Sequence, residues 1–246
     1  MKSIILCEGS TDYALLQYFM RRVYGWQDSR TDQQTNGRHF NRIRTLTRED
    51  DKLSIAGCGG SSRILPELDF LLEQNSIANK SEAYHKIVVI TDRDEVQTEQ
   101  VFTEGIERIL RDRNVTISEN VCNDKWISCK YKNGQMKECR FELLLLIIPF
   151  EETGAMESFL LDAISGNDPY DEKIVIQGNR FVDNVDPDKR YLSKRRYITK
   201  AKFDVYFSVR TAAEQFVERQ NILKNIEWEK YAVLQTGFAK LADLSA

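Results

Sequence analysis

The chain has 246 residues, of which 41% are hydrophobic and 30% are charged, a composition typical of a folded globular protein. Its longest apolar run, residues 143–150, is too short to cross a bilayer, and the apolar stretch before Glu8 is too short for a signal peptide. We therefore expect a cytoplasmic protein. The net charge of −3 gives the protein as a whole no electrostatic signature of nucleic-acid binding.

Cysteine and histidine are too few and too scattered to predict a zinc site. The five cysteines form no CxxC pair, and the only histidines are His39 and His85. An odd number of cysteines also fits reduced thiols better than disulfides. Any bound metal should therefore be a hard cation such as Mg²⁺ or Mn²⁺, held by carboxylates.

Strand and helix patterns alternate over the first two-thirds of the chain. Short apolar runs, of the kind buried on both faces of a parallel sheet, alternate with segments whose apolar residues recur at helical spacing. Residues 27–50 are polar and predict a loop or an insertion with a short element of its own. In chain order the predicted elements are a strand at 4–7, a helix from 10 to about 25, a strand at 53–56, a helix through 64–72, a strand from 86 and a helix at 101–110.

The pattern changes after residue 115. An Asn133-Gly134 turn between alternating segments predicts a β-hairpin within 115–142, which a core strand at 143–148 and a helix at 155–164 follow. A long amphipathic helix over 208–226 either packs on the core or forms a homodimer interface. Its predicted buried face consists of Val209, Ala212, Ala213, Phe216, Val217, Leu223 and Ile226. The whole pattern predicts an α/β domain with a mainly parallel, Rossmann-like sheet flanked by helices.

Basic residues concentrate in two segments. One contains Arg38, Arg42, Arg44 and Arg48, and the other contains Lys189, Arg190, Lys194, Arg195, Arg196, Lys200 and Lys202. Each cluster alone is typical of a solvated surface. Together, on a mildly acidic protein, they could guide a phosphate backbone toward one groove.

The first candidate site is Glu8 with Asp12. Parallel α/β sheets bind ligands at the carboxyl ends of their strands, where Glu8 is predicted to lie, and Gly9 permits a sharp turn there. A carboxylate at the end of a buried strand is costly unless a cation pairs with it. Asp12 also has a simpler explanation, because an acidic residue in the first turn of a helix interacts favourably with the helix dipole.

The second candidate is the pair Asp92 and Asp94, directly after the third predicted strand. Side chains two residues apart in an extended segment share a face, so both carboxylates could reach one metal ion or a pair of ions. Their proximity should raise the pKa of each unless a cation neutralises them. Aspartates are also common in polar loops at strand ends, which leaves a plain structural explanation open.

The third candidate is a group of glutamates after the strand at 143–148: Glu151, Glu152 and Glu157. Glu157 could simply stabilise the start of its helix from the solvent side, and spacing does not choose among the three. Taken together, however, acidic residues follow successive core strands, and a parallel sheet gathers such residues at one edge. Mg²⁺ sites that act on phosphates use a few carboxylates and leave positions for water and phosphate oxygens.

The order of these motifs resembles the Toprim domain, which topoisomerases, bacterial primases and several nucleases share. The matching residues are Glu8, Gly9 and Asp12 in an E-G-x-x-D motif, followed by Asp92 and Asp94 in a D-x-D motif. The Gly-rich AGCGGSS element and the later ETGAMESFLLDAI segment are most similar to standalone Toprim proteins related to the OLD-family nucleases. The resemblance covers residues 1–165, with 115–142 as a hairpin insertion. We expect residues 166–246 to form a helical extension packed on the same domain.

The resemblance implies a phosphodiester reaction that depends on Mg²⁺ or Mn²⁺. Glu8 would be a metal ligand or a general acid or base, and Asp92 and Asp94 would hold the metal. Asp12 and Glu157 match further acidic positions of the nuclease branch and would be additional metal ligands. A lysine that steadies transition-state charge in nuclease relatives would correspond here to one of two residues, Lys200 or Lys202.

The resemblance also bears on partners. The sequence shows no catalytic tyrosine domain, primase zinc finger or Walker A motif, so we do not expect topoisomerase or primase activity from this chain. DNA or RNA would be the substrate. Some relatives work beside an ATPase partner, including in bacterial phage defence, so a second protein is an implied partner as well.

Two other functions fit parts of the sequence. The segment DRDEV also matches the nucleophile motif of HAD-type phosphatases, in which Asp92 would be phosphorylated. That family usually carries the motif on its first strand, and Glu8-Gly9 would then be unexplained. A non-catalytic Toprim-like scaffold that binds nucleic acid or a partner protein is the third hypothesis. The retained acidic set favours a metal-dependent nuclease over both.

Overall fold

A computed structural model of the protein describes residues 1–29, 40–79, 81–212 and 219–245, which form one eight-stranded sheet with helices packed on both faces. The strands are β1 (Lys2–Cys7), β2 (Gln27–Asp28), β3 (Arg42–Arg48), β4 (Asp51–Gly57), β5 (Lys86–Asp92), β6 (Thr116–Ile117), β7 (Lys125–Lys132) and β8 (Glu138–Ile148). The helices are α1 (Ser10–Val23), α2 (Ser61–Ile77), α3 (Thr98–Asp112), α4 (Met156–Asn167), α5 (Pro169–Val185), α6 (Arg195–Arg210), α7 (Arg219–Lys224) and α8 (Ala232–Gly237), with 3-10 turns at Trp228–Lys230 and Ala239–Leu244. None of the described helices is long and apolar enough to cross a membrane.

The sheet is parallel at its centre and antiparallel toward both margins. Its strand order is β2-β3-β4-β1-β5-β8-β7-β6, and the three central pairs are parallel. The two outer pairs on each side are antiparallel, so β2 and β6 again point in the direction of the four central strands. The predicted α/β fold, with a mainly parallel sheet flanked by helices, is therefore confirmed.

Two hydrophobic clusters hold helices against the two faces of the sheet. Along β1, Ile5 and Cys7 belong to one cluster and Ile4 and Leu6 to the other, as the alternation of a strand requires. All four side chains are fully buried. Helices α1 and α4 and much of the C-terminal segment cover the first face, while α2 and α3 cover the second. Burial on both faces explains why β1 is a continuous apolar run.

The predicted hairpin is part of the main sheet. Sequence analysis separates a hairpin at 115–142 from a core strand at 143–148, whereas the structure contains one 11-residue strand, β8. Strand β8 pairs with β7 from Glu138 to Leu145 and with β5 from Glu142 to Ile148. Its first four residues pair with β7 alone and alternate between polar and apolar, whereas residues 143–148 pair with β5 and are continuously apolar. This change within one strand produces the apparent boundary.

Helix α5 lies within the helical extension expected over 166–246, although the sequence analysis gives no bounds for a helix here. Its start is well defined, because the Asp168 carboxylate accepts a hydrogen bond from Tyr170 N at 2.8 Å and Pro169 is the first helical residue. Its buried residues are few: Val175, Gly178 and Val182. Other apolar residues of the helix, Ile176, Phe181 and Val185, are exposed.

The amphipathic helix predicted over 208–226 differs from the helices found. Helix α6 ends at Arg210, α7 begins at Arg219, and three residues of the predicted buried face lie outside the described residues: Ala213, Phe216 and Val217. Leu223 and Ile226 are buried, but Ala212 is exposed and Val209 is 55% exposed. The prediction that these last two are buried is wrong. Helix α6 buries a stripe closer to its own centre: Phe203, Tyr206 and Phe207.

The polar segment 27–50 contributes an edge of the sheet. Strand β3 pairs antiparallel with β4, and the short β2 pairs with the end of β3. Residues 30–39, which include Arg38 and His39, lie outside the described residues. The short element expected within this segment is therefore a pair of edge strands.

Candidate active site at the carboxyl ends of the central strands

A cleft of about 650 Å³ opens at the carboxyl ends of β1, β4 and β5. The register of the sheet explains its position, because Cys7 of β1 pairs with Gly57 of β4 and with Ile90 of β5, so that the three strands end together. This is the edge at which open α/β sheets bind ligands. The charged residues that line the cleft are Glu8, Asp92, Asp94, Glu157, Arg42, Arg195, Arg196 and Lys200.

A larger cavity, of about 1230 Å³, lies at the opposite edge of the sheet. Its walls include Lys2 and His85 near the amino ends of strands, and its only carboxylates are those of Asp50 and Glu82. Convergent titratable groups indicate a reactive site better than volume does. We therefore take the smaller cleft as the candidate active site.

Glu8 is held in place at the floor of the cleft, directly after β1. Its carboxylate accepts a hydrogen bond from Thr91 Oγ1 at 3.3 Å and further bonds from the backbone N–H groups of Ser61 and Asp92. These donors come from the start of α2 and the end of β5. The strand end thus presents Glu8 in a fixed orientation.

The Gly-rich turn after β4 closes against the same residue. Gly59 N and Gly60 N both donate to the backbone carbonyl of Glu8 at 3.0 Å. Their φ angles are 87° and 137°, in the region that favours glycine. The glycines of the GCGGSS element therefore form the turn between β4 and α2, and this turn is hydrogen-bonded to the end of β1.

The segment Asp92-Arg93-Asp94 alternates its side chains in the way an extended segment predicts. Asp92 and Asp94 line the cleft, whereas Arg93 is only 7% exposed. Arg93 Nε donates to Pro149 O at 2.8 Å, and its Nη2 donates to Phe150 O at 2.6 Å. Arg93 therefore fixes the loop that follows β8 while the two aspartates remain at the cleft.

Asp12 is buried behind the cleft and Glu157 is buried in its wall, with exposures of 5% and 4%. Asp12 Oδ2 accepts a hydrogen bond from Gly9 N at 2.7 Å, which supports the start of α1. Glu157 Oε1 accepts from Thr11 Oγ1 at 2.9 Å, linking α4 to α1. The explanation of Glu157 as a solvent-facing residue is wrong, because its helix begins at the cleft rather than at the outer surface.

Burial and mutual repulsion raise the pKa values of the acidic residues. Burial is the largest cause at Asp12, where repulsion from Glu157 and Glu8 adds to it and the pKa rises to about 7. Burial, then repulsion from Asp12, Glu8 and Glu157, raises the pKa of Asp92 well above its usual range. The pKa values of Glu8 and Asp94 are also raised, again chiefly by burial. A cation placed among these groups would relieve the repulsion.

Three basic side chains of α6 line the same cleft: Arg195, Arg196 and Lys200. Arg195 Nη1 donates to the backbone carbonyl of Asp94 at 2.5 Å, which joins the start of α6 to the end of β5. Lys202 does not line the cleft, because its Nζ lies 2.8 Å from Asp183 Oδ1 of α5. Of the two candidate lysines, the structure brings only Lys200 to the acidic residues.

Sequence analysis names Arg42 only as a member of a basic cluster and misses its place in the cleft. Because β3 runs antiparallel to β4, Arg42 at the start of β3 pairs with Gly57 at the end of β4. Arg44 instead pairs with Asp28 at 2.7 Å, and Arg48, at the far end of β3, donates to Ser245 Oγ. The direction of β3 therefore places Arg42 at the cleft and leaves Arg44 and Arg48 away from it.

The structure also distinguishes the three glutamates that follow β8. Glu157 lines the cleft, whereas Glu151 and Glu152 are exposed and do not.

Across residues 1–29, 40–79, 81–212 and 219–245, no group of three or more His, Cys, Asp or Glu side chains is arranged so that it could hold a metal ion. The five cysteines are all unpaired.

Comparison with known proteins identifies the family. The model of the family DUF3226, described as a protein of unknown function, matches residues 2–233. The chain belongs to the DUF3226 family. A search of curated proteins finds no match. The crystal structure of the hypothetical protein PH0156 from Pyrococcus horikoshii OT3 matches with a TM-score of 0.56 at 16% identity, covering 99% of this chain and 95% of that chain. At this identity the likeness shows the fold alone.

Proposed function

We propose that this protein is a Toprim-type nuclease that hydrolyses phosphodiester bonds in DNA or RNA with the help of Mg²⁺ or Mn²⁺. One observation carries the proposal. The carboxylates that follow β1 and β5 share a single cleft with the basic residues of α6. An anionic substrate with a developing negative charge needs both kinds of group, because the acidic side can hold a cation and the basic side can hold phosphate.

The donor set fits a hard divalent cation in an open site. Glu8, Asp92 and Asp94 offer carboxylate oxygens at the cleft wall, the ligands that Mg²⁺ prefers. Mg²⁺ is commonly held by one or two carboxylates, with water and substrate phosphate oxygens as its other ligands, so a closed cage of three protein ligands is not required. We assign the cation to Glu8 and Asp92, while Asp94 and Glu157 line the same cleft. Asp12 lies buried behind them.

The residues of the chain would divide the remaining work. A bound divalent cation supplies a more acidic water and neutralises charge on the phosphate oxygens. Burial raises the pKa of Glu8, which favours a role for its carboxylate in proton transfer. Arg196 and Lys200 would bind the phosphate oxygens across the cleft.

A cleavage assay with matched variants tests the proposal. The purified protein is incubated with labelled DNA and RNA in the presence of Mg²⁺, Mn²⁺ or EDTA, beside the variants Glu8→Gln and Asp92→Asn. Both substitutions preserve size and an acceptor oxygen, so the fold should persist. Glu151→Gln is the matched control, because that carboxylate is exposed and lies outside the cleft.

We expect cleavage that depends on the divalent cation, that falls about 100-fold or more in the two cleft variants, and that Glu151→Gln leaves unchanged. Equal cleavage by all four proteins, or none by the wild type on either nucleic acid, would contradict the proposal. Hydrolysis of a simple phosphomonoester that depends on Asp92 but not on Glu8 would point instead to the HAD-like phosphatase. Negligible binding of Mg²⁺ would point to a non-catalytic module.

The same proposal extends to the setting of the protein. The resemblance to OLD-related Toprim proteins supports a cytoplasmic effector that works with an ATPase partner, as in phage defence. Co-expression with the neighbouring genes of the host and purification of the complex would identify such a partner.

A further inference from the structure

A basic surface continues from the cleft along the start of α6. Residues 189–202 contain seven Lys and Arg residues and no Asp or Glu. Six of them are exposed and form no ion pair within the part of the chain that the structure describes: Lys189, Arg190, Lys194, Arg195, Arg196 and Lys200. Because the net charge of the protein is −3, this positive charge is local. We call the exposed residues of 189–197 the α6 entry surface.

Two tyrosines interrupt the basic residues of this surface. Tyr191 is 71% exposed and Tyr197 is 37% exposed. The Arg190 guanidinium lies 5.3 Å from the ring centre of Tyr191, and the Arg196 guanidinium lies 5.0 Å from that of Tyr197. Lys194 Nζ lies 5.9 Å from the same Tyr197 ring. Positive charge and accessible aromatic faces are thus combined at two successive positions.

The α6 entry surface is ordered and joined to the cleft. The Asp186 carboxylate accepts hydrogen bonds from Tyr191 N and Leu192 N, both at 2.7 Å, which fixes the turn that carries the first tyrosine. At its other end, Arg195 donates to the Asp94 carbonyl, beside the acidic residues. A ligand bound on this surface would therefore extend into the cleft without rearrangement of the chain.

We propose that the α6 entry surface binds single-stranded nucleic acid and directs it into the cleft. Tyr191 and Tyr197 stack on unpaired bases, while Lys194 and Arg196 contact phosphates. Basic residues alone would attract any phosphate backbone, including that of a duplex. Exposed aromatic rings add affinity only where bases are unstacked and accessible. The inference rests on the proposed function in one respect, namely that the cleft acts on phosphodiesters.

The test measures binding in EDTA, so that no turnover occurs and the result does not depend on cleavage. Fluorescence anisotropy compares a labelled single strand, as DNA and as RNA, with a duplex of the same sequence. The variants are Tyr191→Ala and Tyr197→Ala. Tyr170→Ala is the matched control, because Tyr170 is 73% exposed at the start of α5 but lies outside the α6 entry surface. Lys194→Gln separates phosphate contacts from stacking.

We expect the wild type to bind a single strand of DNA or RNA more tightly than the duplex. Each substitution on the surface should weaken single-strand binding about tenfold, and Tyr170→Ala should not. Lys194→Gln should weaken the binding of both the single strand and the duplex, and should reduce the number of ions released on binding by about one. Equal affinity for single strand and duplex, or tyrosine variants that bind like the wild type, would overturn the inference while leaving the cleavage result untouched.

Discussion

Arg93 shows how much of the site depends on one buried side chain. It lies between two aspartates in the chain, yet it bonds to the carbonyls of the loop after β8 and to Glu99 Oε2 at 2.9 Å. That loop leads to Met156, whose backbone N–H donates to Asp92 Oδ1 at 2.8 Å. The orientation of Asp92 is therefore coupled to a residue that does not itself line the cleft.

We predict that Arg93→Met lowers the free energy of unfolding by about 1–3 kcal/mol, because it leaves two partly buried carbonyl groups and the partly exposed Glu99 carboxylate without their partner. Arg140→Met is the matched control. Arg140 pairs with Glu138 in the open, at side-chain exposures of 66% and 60%, so its loss should cost no more than about 0.5 kcal/mol. Urea unfolding of both variants gives the comparison, and similar losses would contradict the prediction.

Asp12 carries the clearest consequence of burial for pH dependence. Its pKa rises from the usual 3.8 to about 7 in the folded protein. The folded chain therefore holds a proton that the unfolded chain releases between these values. This stabilisation is fully present below 3.8 and is lost as the pH rises through about 7. The corresponding decrease in the free energy of unfolding is at most roughly 4 kcal/mol.

We predict that Asp12→Asn flattens the decline of stability between about pH 5 and pH 8. The asparagine oxygen can still accept the Gly9 N–H, so the start of α1 should persist. Denaturant titrations at a series of pH values, with EDTA present, measure the two slopes. A variant with the slope of the wild type would show that Asp12 does not titrate in this range.

At the scale of the element, the turn between β4 and α2 depends on its glycines. Gly60 has φ 137° and ψ 152°, a conformation that is essentially restricted to glycine. We predict that Gly60→Ala destabilises the fold by about 1–3 kcal/mol. Gly166→Ala, near the end of α4, should have the opposite effect of up to about 1 kcal/mol, because its added Cβ meets no atom within 4 Å. Thermal unfolding of both variants tests the contrast in sign.

The sequence predicts elements well where burial is uniform along their length. The centres of β1 and β5, residues 4–7 and 87–90, are continuously apolar because helices cover both of their faces, so their pattern is unambiguous. Strand β8 changes neighbours partway along and appears as two elements. This division arises because β8 gains β5 as a neighbour at Glu142, a tertiary contact that the local sequence does not contain.

At the scale of the whole molecule, the C-terminal segment shares the core of the sheet. Ser3 Oγ in β1 donates to Leu244 O at 3.2 Å, and Tyr24 OH donates to Phe238 O at 2.9 Å. Trp228 is fully buried in the same hydrophobic cluster as Trp26. These contacts join residues more than 200 positions apart in the chain.

We predict that the chain unfolds as one cooperative unit. The double variant Trp26→Phe/Trp126→Phe leaves Trp228 as the fluorescent reporter in the C-terminal segment, whereas Trp126→Phe/Trp228→Phe leaves Trp26. The two fluorescence transitions should coincide with the loss of secondary structure by circular dichroism. Separate midpoints would show instead that residues 166–246 form an independent unit.

The composition of the site could be predicted only in part. Glu8, Asp92 and Asp94 are recognisable because each follows a strand whose end must lie at the same edge of the sheet. Lys200 is named from the sequence only as one of two lysines and through the resemblance, and Arg195 only as a member of a basic segment. Both belong to a helix about 100 positions later in the sequence, and the packing of α6 brings them to that edge.

The proposed nuclease activity requires Glu8 and Asp92 to bind one divalent cation jointly. Titration of Mn²⁺ into the metal-free protein, followed by electron paramagnetic resonance, measures this directly and without any substrate. We predict saturable binding by the wild type and by Glu151→Gln, and a loss of at least about tenfold in affinity in both Glu8→Gln and Asp92→Asn. Absence of saturable binding, or equal affinity in all four proteins, would contradict the account.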